Sequence, residues 1–436
     1  MPTAIYISGL GQSTNKESVE KYAARYIKEL EYSTTGINYY TKVEKIYYND
    51  DQSSLAVRIY QHSKEILKSN KDTLLYTVYD FEYNDLLVQK FQNKNLLFKN
   101  ITLLLLVIRK LPRLITSLFK KKTYTKGGQT FYMFLLFLIM ALAVLLVIPS
   151  LLGFVDGTNL TFIRNLLDDK IINILRHLRD FSLKMLPITS LAIIFIPESS
   201  TILTKVAAEF STIDNYIQYG EQSQIIQGNL DSLIEYIVEN EENTTIHLHT
   251  YSFGSIIALD ALFPIGTEPC ENILNNIKLL ITVGAPYEFI DNYYPNFYTD
   301  RTDKMSQKIE WINVYSTMDA FSSNFRRDNE AKEAQYGIMG KSEVPINLNY
   351  EIARREKYNL FSFLTLRHIT MHQSYWDDSK HGQSCTRLIF NKMKELNYFS
   401  ITTLINTKLP TSLSNRQMKF QESGLTINRE AENFIE

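Results

Sequence analysis

The chain has little cysteine and almost no net charge. Its 436 residues include 2 cysteines, Cys270 and Cys385, whose separation fits no metal-binding or redox spacing. A formal net charge of −1 gives no reason to expect nucleic acid as a partner. There is no internal repeat, and Met1-Pro2-Thr3 leads directly into a strand-like run, so no signal peptide is expected. What remains is a chain of 45% apolar residues that can bury a large core in two or three domains.

One segment carries the strongest chemical signal. His247 to Ser255 read His-Leu-His-Thr-Tyr-Ser-Phe-Gly-Ser, followed by the apolar run Ile256-Ile257-Ala258-Leu259. This pattern predicts a strand, a sharp turn carrying Ser252, and the first turns of a helix. Such a turn projects the serine hydroxyl above the sheet, where a general base can reach it. Gly254 supplies one of the two small residues that the motif G-x-S-x-G requires, whereas Thr250 stands where the motif has the other glycine.

Partners for this serine follow in a definite order along the chain. Asp319 comes shortly after a strand-like run at 311–316, and His372 comes after another at 363–366. A serine hydroxyl needs an imidazole to take its proton and a carboxylate to orient that imidazole. The order is therefore Ser, Asp, His. Alternatives remain for both partners: His368 for the base, and Asp260 and Asp377 for the carboxylate.

The elbow and this order resemble those of the α/β-hydrolases of the lipase and esterase kind. The resemblance covers residues 1–90 and about 205–400. It implies that Ser252 is the nucleophile, His372 the general base and Asp319 the carboxylate that orients it.

The same resemblance extends to a loop near the N-terminus. The run Ser8-Gly9-Leu10-Gly11 resembles the His-Gly-x-Gly loop of lipases, with Ser8 in place of the histidine. It implies an oxyanion hole formed by the backbone N–H groups of Leu10 and Phe253. No lysine follows at the spacing of a phosphate-binding loop and no dinucleotide fingerprint is completed, so no cofactor is expected, and no metal.

The alternation of strand-like and helix-like patterns predicts an α/β fold, with a mostly parallel sheet flanked by helices. The predicted strands lie near 4–8, 41–48, 74–80, 245–251, 278–284, 310–316 and 363–367. The predicted helices lie near 16–31, 53–69, 222–240 and 381–396. Site residues at the carboxyl ends of the strands would share one edge of the sheet.

The middle of the chain predicts a membrane-associated insertion. Residues 131–155 contain no charged side chain, which is typical of a transmembrane helix, and a basic, carboxylate-free run at 109–126 precedes them. Strands on either side of the insertion should share one sheet, so the insertion crosses the membrane twice or lies in one leaflet. We therefore expect an integral membrane protein whose catalytic core faces the cytoplasm.

These expectations combine into four segments and two possible functions. The segments are 1–90 and 206–405 as the two parts of the hydrolase core, 91–205 as a helical membrane lid or anchor, and 406–436 as a polar tail. The first function is a membrane-bound serine hydrolase that cleaves acyl esters, of lipids or acyl thioesters, through an acyl-enzyme. Its expected partners are that substrate and the bilayer. The alternative is a non-catalytic membrane scaffold that keeps the hydrolase fold.

Overall fold

A single eight-stranded sheet organises the computed structural model. The structure describes residues 2–10, 18–34, 37–50, 52–62, 72–87, 211–218, 220–241, 245–319, 321–325, 345–351, 371–376 and 384–398, with a few positions between 105 and 184. The strands are β1 (Pro2–Ile7), β2 (Asn38–Asn49), β3 (Gln52–His62), β4 (Thr73–Asp80), β5 (Thr245–Tyr251), β6 (Ile277–Val283), β7 (Glu310–Tyr315) and β8 (Ile346–Asn349). The helices are α1 (Val19–Ser33), α2 (Glu221–Asn240), α3 (Phe253–Leu262), α4 (Glu271–Asn276), α5 (Tyr287–Tyr293), a 3₁₀ helix (Met371–Tyr375) and α6 (Cys385–Glu395).

The sheet is mostly parallel, as the strand and helix pattern predicts. Its order is β2-β3-β4-β1-β5-β6-β7-β8, and only the β2–β3 and β3–β4 pairs are antiparallel. Strand β1 lies between β4 and β5, with Thr3 opposite both Thr77 and Ile246. The strands before and after the middle of the chain therefore belong to one sheet, which confirms that expectation.

Two amphipathic helices cover the sheet at positions that the sequence predicts. In α1 the buried residues include Val19, Tyr22, Ala23, Tyr26 and Leu30, a spacing that places them on one helix face. In α2 they include Ile226, Leu230, Leu233, Ile234 and Ile237. Tyr22 contacts His249 of β5, whereas the neighbouring Leu248 shares an apolar cluster with α2. Because successive strand residues point to opposite faces, α1 and α2 lie on opposite sides of the sheet.

The prediction of a helix at 53–69 is wrong. Residues 52–62 form strand β3, which pairs with both β2 and β4. Val57 and Ile59 are buried whereas Arg58 and Tyr60 are half-buried, which is the alternation of a strand. Pairing on both edges and β-branched side chains favour the strand over the helical reading. Strand β8 was absent from the sequence prediction, and the predicted strand at 363–367 lies outside the described residues.

The expectation of an integral membrane protein with a transmembrane insertion is also corrected. Across the described ranges, no helix combines the length and apolarity needed to cross a bilayer. The 20-residue α2 carries charges such as Glu221, Asp231 and Glu235, and the apolar α3 has only 10 residues, about half of a membrane-spanning length. The apolar run at 131–155 and most of the basic run at 109–126 lie outside the described residues.

The chain divides into two compact units. Met1–Ile389 contains the whole sheet, and Phe390–Glu436 is described only to residue 398, three residues beyond the end of α6 at Glu395. The expected segment boundaries near 90 and 205, and the polar tail at 406–436, fall outside the described residues.

Candidate active site

Ser252 occupies a sharp turn between β5 and α3. Its backbone has φ of 51° and ψ of −124°, a conformation that residues other than glycine rarely adopt. The Ser252 N–H donates to the carbonyl of Val283 at the end of β6 (2.8 Å), which helps to hold the turn. Strained backbone of this kind persists only where the surrounding structure enforces it, and it often occurs at functional sites.

Two glycines allow the loop after β1 to approach this turn. A Cβ atom on Gly254 would lie 2.4 Å from the carbonyl oxygen of Ile7, which no side chain could tolerate. A Cβ atom on Gly9 would lie 2.9 Å from the Cβ of Ser252. The predicted elbow and the predicted oxyanion loop are thus in direct contact, and both glycines are needed for that contact.

Thr250, where the motif has glycine, fits without a polar conflict. Its side chain is buried, and its hydroxyl is hydrogen-bonded to the carbonyl of Ile281 and to the hydroxyl of Ser255, both at 2.9 Å. Because the hydroxyl is satisfied, threonine does not carry the cost of an unpaired buried polar group.

The three predicted side chains meet at the carboxyl edge of the sheet. His372 Nε2 lies 2.7 Å from Ser252 Oγ, and His372 Nδ1 lies 2.8 Å from Asp319 Oδ2. The histidine comes from the 3₁₀ helix, and the aspartate from the loop after β7. The imidazole therefore connects the hydroxyl to the carboxylate through its two nitrogens.

Asp319 is fully buried and receives three hydrogen bonds in place of water. Its Oδ2 accepts from His372 Nδ1 and from the Tyr375 hydroxyl (2.9 Å), and its Oδ1 accepts from the N–H of Phe321 (2.9 Å). Donors of this kind favour the ionised form of a buried carboxyl group. An ionised carboxylate favours the imidazole tautomer that has its proton on Nδ1, leaving Nε2 free to accept from Ser252.

A second carboxylate anchors the loop that carries Asp319. Glu351, just after β8, accepts from the Thr317 N–H and hydroxyl (both 2.6 Å) and from the Ser316 hydroxyl (3.0 Å). The Ser316 carbonyl in turn accepts from the Ser322 hydroxyl (2.8 Å). Strand β8 therefore contributes to the site by fixing this loop from the outer side.

Aromatic rings fix the plane of the His372 imidazole. The Tyr251 ring stacks on it at 5.3 Å, and its hydroxyl donates to the His372 carbonyl. The Phe321 ring contacts it edge-on at 5.1 Å. Gly284, with φ of +60°, leaves room beside it, because a Cβ there would lie 3.2 Å from His372 Cε1 and 3.0 Å from the Tyr375 ring. With a side-chain exposure of 13%, the imidazole has little freedom to rotate.

The predicted oxyanion donors lie on the elements expected. Phe253 is the first residue of α3, where a backbone N–H has no acceptor within the helix. Leu10 follows Gly9, which lies against Ser252. The loop is held at Ser8, whose carbonyl accepts from the Tyr83 hydroxyl (2.7 Å). The Asn84 side chain also donates to the Ser8 hydroxyl (3.3 Å). The two donor roles themselves stay predictions.

Other sequence candidates are engaged elsewhere or are not described. Asp260 accepts from Arg301 (2.6 Å) and from Tyr216 (2.8 Å), in a separate network. His368 and Asp377 lie outside the described residues. Within the part of the chain that the structure describes, no group of three His, Cys, Asp or Glu side chains could hold a metal ion.

The roles of three further residues near the site, Tyr375, Gly284 and Glu351, were not predicted from the sequence. Tyr375 lies three residues after His372, a spacing that is visible in the sequence, but its hydrogen bond to Asp319 depends on the fold. Gly284 directly follows β6, a position at which a glycine with positive φ often ends a strand. Glu351 carries no local signal, because its role depends on how β8 pairs with β7.

Neither the protein-family models, nor the curated proteins, nor the solved structures contain a match to this chain.

Proposed function

We propose that this protein is a serine hydrolase that cleaves acyl esters through an acyl-enzyme, with a fold related to the α/β-hydrolases. The observation that carries the proposal is the hydrogen-bonded series Ser252–His372–Asp319, with distances of 2.7 and 2.8 Å, on a strained turn. Ligands of open α/β sheets bind beyond the carboxyl ends of the strands, where the strand order reverses. Ser252 lies at such a place, since it follows β5 next to the central β1.

The geometry supports a two-stage reaction. Ser252 Oγ attacks the carbonyl carbon of the ester while its proton passes to His372 Nε2. Asp319 stabilises the imidazolium that forms. The N–H groups of Phe253 and Leu10 are the proposed donors to the oxyanion of the tetrahedral intermediate.

Collapse of that intermediate completes the first stage and prepares the second. The bond from the carbonyl carbon to the alcohol oxygen breaks, and the leaving oxygen takes the proton from His372 Nε2. Water then attacks the acyl-enzyme with the same histidine as base, which releases the acid and restores the Ser252 hydroxyl. Esters of lipids and acyl thioesters are the substrate classes we propose to screen.

Labelling with a fluorophosphonate probe tests the proposal, because the probe reacts only with an activated serine. We expect the wild-type protein to be labelled and Ser252→Ala to be unlabelled. Ser255→Ala is the matched control, since this serine lies in the same turn and helix but bonds to Thr250 instead of His372.

Hydrolysis of p-nitrophenyl esters of increasing acyl length then gives the substrate preference. Equal labelling of wild type and Ser252→Ala contradicts the assignment of the nucleophile. An unlabelled wild-type protein with normal folding favours the alternative, a protein that keeps the arrangement without the chemistry.

A further inference from the structure

The 3₁₀ helix brings two side chains to the same carboxylate oxygen. His372 and Tyr375 are three residues apart, and side chains at that spacing eclipse one another in a 3₁₀ helix. Both side chains are hydrogen-bonded to Asp319 Oδ2, His372 through Nδ1 (2.8 Å) and Tyr375 through its hydroxyl (2.9 Å).

The direction of the tyrosine hydrogen bond follows from its other partner. The backbone N–H of Ser316 lies 2.9 Å from the Tyr375 hydroxyl oxygen and can only donate to it. Because an ionised Asp319 can only accept, the single hydroxyl hydrogen of Tyr375 is donated to it rather than to the nearby Ser322 hydroxyl. Burial and the neighbouring Asp319 raise the pKa of Tyr375 well above its usual value, so the phenol keeps this hydrogen at any pH of interest.

We propose that Tyr375 is a positioning residue for the base: its hydroxyl shares Asp319 Oδ2 with His372 and so limits how strongly the carboxylate holds the imidazole. The inference rests on the proposed function, in which the imidazole must alternate between its neutral and charged forms. The positive end of the phenol dipole points at the oxygen that faces the imidazole, and this disfavours the charged ring. The tyrosine therefore favours the neutral base.

Few other titratable groups face His372 from the elements packed against it. Among the described residues, Tyr251 stacks on the ring from the end of β5, and Asp319 approaches from the loop after β7. Glu351 accepts a hydrogen bond from the N–H of Thr317, two residues before Asp319. On the side of Tyr375, the Cys385 thiol of α6 is buried, and burial keeps its pKa above the usual range, so it adds no charge. Removing the Tyr375 hydroxyl takes away its hydrogen bond to Asp319 Oδ2 and also the acceptor of the Ser316 N–H.

A titration of the His372 ring by NMR tests the inference without any need for catalysis. The ring resonance is assigned by its loss in His372→Ala. In Tyr375→Phe we expect the titration midpoint of this ring to move to higher pH by about half a unit to one unit. Tyr298→Phe is the matched control, because it removes a hydroxyl from another buried tyrosine that has no hydrogen-bond partner among the described residues. In this control the midpoint should not move.

A second variant gives the opposite expectation while keeping the hydroxyl. With 3-fluorotyrosine at position 375 the phenol becomes a stronger donor, and the midpoint should move to lower pH. An unchanged midpoint, or one that moves the other way in either variant, overturns the inference. If Tyr375→Phe fails to fold, the fluorinated variant decides alone.

The proposed function and this inference can fail separately. Loss of p-nitrophenyl butyrate hydrolysis in Ser252→Ala tests the function, and the ring titration tests Tyr375. Where hydrolysis is present, the acid limb of the pH profile of kcat/KM should move with the titration midpoint of the ring in each variant. KM should stay unchanged, because the Tyr375 hydroxyl contacts Asp319 and not the proposed substrate site.

Discussion

Two buried histidines in β5 should make the protein sensitive to acid. His247 and His249 are at most 1% exposed. The Tyr76 hydroxyl lies 2.8 Å from His247 Nδ1, and the Tyr22 hydroxyl lies 2.6 Å from His249 Nδ1. Burial lowers the pKa of His247 to about 3, and burial together with the adjacent His247 lowers the pKa of His249 well below its usual value.

The sign and size of the effect follow from linkage. In the unfolded chain a histidine has a pKa of about 6.5, so the folded state favours the neutral ring. The stability that depends on His247 is fully present above pH 6.5 and is lost as the pH falls toward 3. Because pH 4.5 lies two units below the pKa of the unfolded histidine, the loss of folding free energy there is about 3 kcal/mol for His247 alone. His249 acts in the same direction. Since domains are stable by roughly 5–15 kcal/mol in total, this is a large share.

Urea unfolding at pH 7.0 and 4.5 measures this loss when variants are compared. His247→Gln cannot be protonated, so its unfolding free energy should change less between the two pH values than that of wild type, by about 3 kcal/mol. The comparison cancels groups that do not act through His247, such as Asp80, whose pKa burial raises to about 7 and which opposes the effect. His177→Gln, which removes an exposed histidine, is the control and should behave like wild type. Equal pH dependence in wild type and His247→Gln would refute the reasoning.

Two further predictions concern the site. Asp319→Asn should keep the fold but lower kcat by a factor on the order of 10⁴, because an amide holds the wrong imidazole tautomer; kcat near that of wild type, measured with p-nitrophenyl butyrate, would count against the assigned role. Gly284→Ala should lower kcat and cost about 1–2 kcal/mol of stability, since its φ is +60° and its new Cβ would lie 3.2 Å from His372 Cε1. Wild-type kinetics together with a wild-type melting temperature in this variant would show that the contact is unimportant.

The sequence located the residues whose chemistry is local and missed those whose role depends on packing. Ser252 could be predicted because strand, turn and helix patterns are adjacent in the chain. Asp319 and His372 could be proposed because each follows a strand-like run and because the order Ser, Asp, His resembles that of the α/β-hydrolases. Strand β3 was read as a helix, because a short apolar pattern is compatible with both structures until its partners are known. Tyr375 and Glu351 act through contacts across the fold, which no local pattern encodes.

The membrane prediction failed for a different reason. It relied on the charge-free run at 131–155, which is long enough to cross a bilayer but lies outside the described residues. In the described residues apolarity and length occur in different helices, α3 and α2.

The position of β1 between β4 and β5 has a consequence for how the protein folds. Strand β4 ends at Asp80 and β5 begins at Thr245, so the second edge of β1 stays unpaired until a long intervening segment has been synthesised and its ends have met. Such distant pairing makes folding slow. The entropy of closing a loop grows only with the logarithm of its length, by about 0.6 kcal/mol per doubling. The segment between these strands can therefore lengthen over evolution at little thermodynamic cost, provided that its two ends still reach β1.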